Sequence, residues 1–139
     1  MRVLRITIKA EPTAKGRAKT SYRNGKVWTY TPAKTQNAEK LIRDRLVKYQ
    51  ADCFPPHTPV NLSVVFYRTR CEWQRKKCKL ETMPVRKPDT DNFLKLLLDA
   101  INGLLVSDDA QITTIHAKKR WTDKPYGYIT IYLTPDKGE

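Results

Sequence analysis

Residues 86–111 read RKPDTDNFLKLLLDAINGLLVSDDAQ, and this stretch sets the middle of the fold. Leu94, Leu97, Leu98 and Ile101 recur at helical spacing. They predict a helix from Asp91 or Asn92 to Asn102 with those four residues as its buried stripe. Gly103 is the residue type that ends a helix in the left-handed conformation. A short apolar run, Leu104 to Val106, then leads to Asp108 and Asp109. The stretch is also chemically distinct: from Asp89 to Asp109 it holds five carboxylates, Asp89, Asp91, Asp99, Asp108 and Asp109, against one cation, Lys95.

Working outward, Val60 to Arg68 alternates, with Val60, Leu62, Val64 and Phe66 on one side and Val65 and Tyr67 on the other. This predicts a strand partly covered on both faces. Gln111 to Trp121 and Tyr126 to Leu133 read as two strands joined by a turn at Asp123-Lys124-Pro125. Thr31-Pro32 has the form of a hydroxyl cap followed by proline at the first helical position. Ala38, Leu41, Ile42, Arg45, Leu46 and Tyr49 follow at helical spacing, leaving Lys40, Arg43, Asp44 and Lys48 to solvent. Asn24-Gly25, between Ser21-Tyr22-Arg23 and Lys26-Val27-Trp28, predicts a two-residue hairpin turn, because both residues tolerate positive φ. Val3 to Ala10 alternates as a half-buried strand that Pro12 ends. The order β, hairpin, α, β, α, β, β predicts an α+β fold, a mixed β-sheet with two main helices packed on it. Residues 69–88 read as a long basic loop, either a DNA-contacting flap or a solvated charge run.

At 139 residues and 40% hydrophobic content, the chain is expected to form one domain, residues 1–139, burying roughly two thirds of its unfolded surface. No apolar run approaches the roughly 20 residues of a membrane span, and the N-terminus lacks a signal-peptide apolar core, so a cytoplasmic protein without membrane attachment is expected. The three cysteines, Cys53, Cys71 and Cys78, match no zinc spacing and read as reduced thiols.

The net charge is +13, and residues 1–50 alone hold thirteen cations against three acids. Such a field favours phosphate polymers, whose neutralised phosphates also release counterions. The cations placed to meet DNA are Lys15, Arg17, Lys19, Arg23 and Lys26 in the N-terminal basic stretch, and Arg68, Arg70, Arg86 and Lys87 ahead of the acidic segment. Tyr22, Trp28 and Tyr30 add stacking surfaces to the hairpin. A solubilising basic surface has the same composition.

An acidic island in a basic chain fits a metal that lets acids accept a phosphate. Asp89 and Asp91 flank one residue ahead of a helix and can aim at a shared point. Magnesium typically takes one or two carboxylates plus waters and substrate phosphates. Asp109 can supply a third ligand if the chain turns back after the helix. Lys95, one turn beyond Asp91, can reach a phosphate or stabilise charge developing on it. Each residue also has a plainer reading. Asp91 alone is a helix cap, Asp89 a turn residue, Asp108-Asp109 a polar turn, and Lys95 an ion-pair partner of Asp91 and Asp99 contributing about 0.2–0.5 kcal/mol.

The pattern Lys87-Pro88-Asp89-Thr90-Asp91-Asn92, then Lys95, then Asp99-Ala100-Ile101-Asn102-Gly103, then Asp108-Asp109-Ala110-Gln111-Ile112 closely resembles the RusA family of Holliday junction resolvases, common in phages and prophages. Pro12 to Arg17 and Thr29-Tyr30-Thr31-Pro32 resemble the family's start, while residues 69–86 match nothing in it. The resemblance implies a homodimeric endonuclease dependent on magnesium or manganese, with one or two ions per subunit, that cuts paired strands of branched double-stranded DNA. It places Asp89, Asp91 and Asp109 as metal-holding catalytic acids and Lys95 as a further catalytic residue, with Asp99 structural. Two other readings share these residues: a non-catalytic basic protein binding branched nucleic acid, and a metal nuclease acting on flaps or forks.

Overall fold

A computed structural model of the chain describes residues 3–70, 83–85 and 87–138. In chain order its elements are β1 (Leu4–Ile8), β2 (Lys19–Arg23), β3 (Lys26–Tyr30), α1 (Ala33–Leu46), β4 (Val60–Thr69), α2 (Thr90–Ile101), β5 (Ile112–Thr122) and β6 (Tyr128–Pro135). Short 3-10 turns occupy Val47–Asp52 and Asp109–Gln111. The expected α+β architecture is present. The main sheet runs β1-β6-β4-β5, with β5 parallel to β4 and β6 antiparallel to both β1 and β4. A parallel pair needs a crossover, and α2 supplies it. The turn at Asp123-Lys124-Pro125 therefore joins two strands that flank β4.

Alternation builds the core. Leu4, Ile6 and Ile8 of β1, Val60, Leu62, Val64 and Phe66 of β4, and Ile129, Ile131 and Leu133 of β6 are buried. They meet Ile42 and Leu46 of α1 and the apolar side of α2. That side is rotated from the expected stripe. Phe93, Leu96, Leu97, Ala100 and Ile101 are buried, while Leu94 and Leu98 are only partly so. The Phe93 ring tilts against Phe66 at 5.4 Å between centroids, a contact that turns the helix one position. The apolar spacing also ran α1 too wide, since Leu41 and Arg45 are exposed.

Two helix ends differ from expectation. Helix α1 starts at Ala33 with Pro32 in the capping position and no side-chain cap. The Pro32 carbonyl accepts from the amides of Thr35 and Gln36, so Thr31 has no capping role. Arg43, expected in solvent, donates through Nη1 to the carbonyls of Ala100 and Asn102, each at 3.0 Å. It thereby serves the carbonyl-rich end of α2, where a cation is favoured. The hairpin is as expected. Asn24 and Gly25 have φ of 53° and 74°, Arg23 pairs with Lys26 across the turn, and nearly every position of β2 and β3 is exposed.

Candidate active site

The site grows from the first turn of α2. Asp89 occupies the capping position, and its carbonyl accepts from the amides of Asn92 at 3.1 Å and Phe93 at 3.4 Å. Its carboxylate makes no capping hydrogen bond. The expected capping role of Asp91 is absent for the same reason: the helix begins one residue before it, at Thr90. Asp91 lies in the first turn, where the helix dipole favours negative charge. Lys95 Nζ sits 3.6 Å from Asp91 Oδ2, with both side chains more than half exposed.

Asp89, Asp91, Asn92 and Lys95 line one cavity of about 480 Å³ together with Lys15, Gly16, Arg17 and Ala18. The opposite wall is the segment between β1 and β2, and it is fastened. Lys15 donates its amide to the Asn92 carbonyl at 3.1 Å, and Gly16 donates its amide to Thr35 Oγ1 at 2.9 Å. A Cβ on Gly16 would meet Thr35 Oγ1 at 2.8 Å, so this close approach requires glycine. Lys15 Nζ also pairs with Asp99 at 2.6 Å. The hydrogen bond to Asp99 raises the Lys15 pKa above its ordinary value. Asp99 is thus a scaffold acid, but its partner is Lys15 on the opposite wall and not Lys95.

The Asp-Asp pair beyond α2 divides its labour. Asp108 Oδ1 accepts from the Ala110 amide at 3.0 Å, and the Asp108 amide donates to Gln111 Oε1 at 2.9 Å, a reciprocal cap on the 3-10 turn. Gln111 is anchored in turn, donating Nε2 to the carbonyls of Pro55 and Thr58. The Asp109 amide donates to Asn102 Oδ1 at 3.3 Å. Desolvation, and then the hydrogen bond and charge of Asp108, hold the Asp109 carboxyl above its ordinary pKa.

Within one chain these acids do not converge. Asp99 lies eight residues past Asp91, about 12 Å along the helix at about 1.5 Å per residue, and Asp109 neighbours the Asp99 end. Among the described residues, no three Asp, Glu, His or Cys side chains group closely enough to hold one ion. The donors at Asp89 and Asp91 are all oxygens, the set a hard cation takes, and two carboxylates with waters and substrate phosphate suffice for magnesium. The acid pair therefore fits such an ion.

Two cations missed by sequence reasoning, or given another role by it, stand behind the pair. Lys119 Nζ donates to the Pro88 carbonyl at 3.0 Å. Desolvation, followed by the charge of Arg68, lowers the Lys119 pKa, while Asp89 opposes that shift. Arg68 lies over the Phe93 and Trp121 rings at 5.7 and 5.6 Å, with its Nη1 3.5 Å from the Lys87 carbonyl. The signal that could have found Lys119 is strand alternation: it shares a face with Ala117 and Trp121, which makes it a cation on the side of β5 that packs against the helices. The remaining cations expected at DNA are dispersed. Lys15 and Arg17 line the acidic cavity, whereas Lys19 and Arg68 line a neighbouring one of about 650 Å³ with Lys34, which the sequence did not single out. Arg23 and Lys26 are exposed at the hairpin tip. Arg70 is buried at the end of β4, 6% exposed, and so is withdrawn from the surface. Arg86 and most of the basic loop, residues 71–82, lie outside the described residues.

An exposed acid pair inside a collar of lysines and arginines, on a basic α+β domain, defines a class of protein suited to phosphate polymers. The comparisons make the class specific. The family model for endodeoxyribonuclease RusA matches residues 9–132, and the chain belongs to that family. It is 34% identical over 136 residues to the uncharacterized protein YqaN of Bacillus subtilis (strain 168), covering 90% of this chain and 92% of that protein. It is 32% identical over 100 residues to the crossover junction endodeoxyribonuclease rusA of Lactococcus phage r1t, covering 68% of this chain and 70% of the phage protein. The resemblance carried by residues 87–112 thus extends over most of the chain. Membership supports endodeoxyribonuclease activity on branched DNA, and no described helix is long and apolar enough to cross a membrane.

Proposed function

We propose that this protein is a divalent-metal-dependent endodeoxyribonuclease that resolves four-way DNA junctions by paired strand cleavage, in recombination and repair. The observation that carries the reading is the shared cavity in which Asp89, Asp91 and Lys95 face Lys15 and Arg17. Asp89 and Asp91 would hold a magnesium or manganese ion, which supplies Lewis acidity and a bound water of lowered pKa. Lys95, beside Asp91, stabilises charge developing on the scissile phosphate. Lys15 and Arg17 hold the flanking backbone, and the net charge of +13 draws the polyanion in.

Asp109 completes the acid set in this reading, but α2 separates it from Asp89 and Asp91 of its own chain. A homodimer reconciles the two facts: Asp109 of a second copy meets the acid pair of the first, and twofold symmetry presents two sites to a symmetric junction. The test uses a labelled four-way junction with flap and fork controls and a magnesium titration. Asp91→Asn and Asp109→Asn are each expected to bind the junction without cutting it. Mixing the two variants restores nicking if each site draws on two chains, because one composite site in each mixed dimer is intact. If the mixture stays inactive, Asp109 serves its own chain; if Asp109→Asn alone cuts normally, Asp109 has no part in the site. Normal cutting by Asp91→Asn overturns the metal-site reading, and binding without cleavage by the unmodified protein leaves only a junction-binding role.

A further inference from the structure

We propose that Lys119 is a positioning residue for Asp89, its ammonium gripping the Pro88 carbonyl and so setting the direction from which the Asp89 carboxylate enters the cavity. The inference rests on the reading of Asp89 as a cation-holding acid and adds a residue that this reading does not contain.

The geometry begins in the sheet. Lys119 stands opposite Phe66, and Trp121 opposite Arg68, in the parallel register of β4 and β5. Phe66 points at α2, where it packs on Phe93, and residues two apart on a strand share a face. Lys119, Arg68 and Trp121 therefore all lie on the helix side at one end of the sheet. From there the two cations reach the two carbonyls that precede Asp89: Arg68 to Lys87 at 3.5 Å and Lys119 to Pro88 at 3.0 Å. The Asp89 backbone is fastened on its other side by the first amides of α2. Its carboxylate has no capping bond, so its direction is set by these backbone anchors.

A purely structural role explains this poorly. Holding an ammonium half-buried beside a guanidinium costs free energy that an apolar chain of similar length avoids. What the ammonium alone provides is the grip on Pro88 and a positive charge behind Asp89. Groups that orient a metal-holding residue typically change metal affinity or activity by about 10- to 100-fold when removed.

The experiment compares Lys119→Met, Lys119→Arg and the exposed neighbour Lys118→Met with the unmodified protein. The readouts are Mn2+ binding by calorimetry, junction affinity without metal, melting temperature and single-turnover cleavage. Lys119→Met is expected to weaken Mn2+ binding and slow cleavage by about 10- to 100-fold while junction affinity holds. Lys119→Arg, which can still donate to the carbonyl, recovers most of both, and Lys118→Met changes neither. Unchanged Mn2+ binding in Lys119→Met overturns the inference, as does a loss confined to junction affinity, which would make Lys119 a phosphate contact. If Lys119→Met fails to fold, Lys119→Arg decides. Near-normal Mn2+ binding in that variant supports positioning, and a tenfold loss refutes it. Failure of the unmodified protein to bind Mn2+ or to cut would instead defeat the reading of Asp89 itself.

Discussion

Asp108 and Asp109 are adjacent and chemically identical, yet their substitution is expected to have opposite consequences. Asp108→Ala removes the side-chain acceptor for the Ala110 amide. Loss of such a cap costs about 0.5–2 kcal/mol. Gln111 remains fixed by the carbonyls of Pro55 and Thr58, which confines the damage to one turn. At about 2–4 °C per kcal/mol for a chain of this size, the melting temperature should fall by about 1–8 °C with most of the cleavage retained. Asp109→Asn should do the reverse. Burial and the charges of Asp108 and Asp99 raise the Asp109 pKa, so the folded state binds its proton more tightly than the unfolded state does. Stability is therefore lost as pH rises from the ordinary carboxylate value through the raised one, and the unmodified protein carries this cost at neutral pH. The amide cannot ionise and escapes it. Melts of Asp109→Asn should thus equal or exceed those of the unmodified protein at neutral pH, with the difference shrinking in acid, while junction cleavage is abolished. A clear neutral-pH destabilisation by Asp109→Asn, with cleavage intact, would show that the two roles have been exchanged and refute the division.

Arg43→Met strips two donated bonds from the end of α2. Charged hydrogen bonds of this kind contribute about 1.5–3 kcal/mol, so denaturant melts should show a loss in that range or somewhat above it. Asp136 accepts from the hydroxyls of Thr113 and Thr114 and from the Gly138 amide, which lowers its pKa to about 2. Its contribution is present above the ordinary value of 3.8 and fades as pH falls toward about 2, so the melting gap between the unmodified protein and Asp136→Asn should close over that window. Gly127→Ala would set a Cβ 2.9 Å from Glu11 Cα. Overpacking of that kind costs about 1–3 kcal/mol, and the loss should appear in thermal melts together with disturbance of the Glu11 bonds to Thr69.

Features that depend on local chemistry were legible in the sequence. Asn24-Gly25 can take the turn it takes because both residues accept positive φ, and alternation in β1 and β4 assigned their buried sides. Periodicity located α2 but missed its rotation, because Leu94 and Leu98 look as apolar as Leu96 and only the meeting of Phe93 with Phe66 decides among them. Arg43 was invisible as a cap for another reason: its carbonyl partners lie 57 and 59 residues away. The acidic motif announced Asp89, Asp91 and Lys95 as neighbours, since one helical turn guarantees it. Only the family resemblance favoured Asp109 over Asp108; nothing in the local chemistry separates them, because they differ in which carboxylate the following turn uses as a cap.

Distance along the chain misleads at this site in both directions, and the crossover explains why. Helix α2 carries the chain away from Asp89 for twelve residues, about 18 Å, and leaves Asp109 at the far end. Strand β5 then returns beneath it, and the seven steps from Ile112 to Lys119 cover about 23 Å at about 3.3 Å each. The return is slightly longer than the outward path, so it brings Lys119 level with Pro88. The fold thereby separates two acids eighteen positions apart and joins a carbonyl and a lysine thirty-one positions apart. One β-α-β crossover thus accounts both for why Asp109 lies at the opposite end of α2 from Asp89 and Asp91 and for why the segment ahead of Asp89 is held from behind by the edge strand of the sheet.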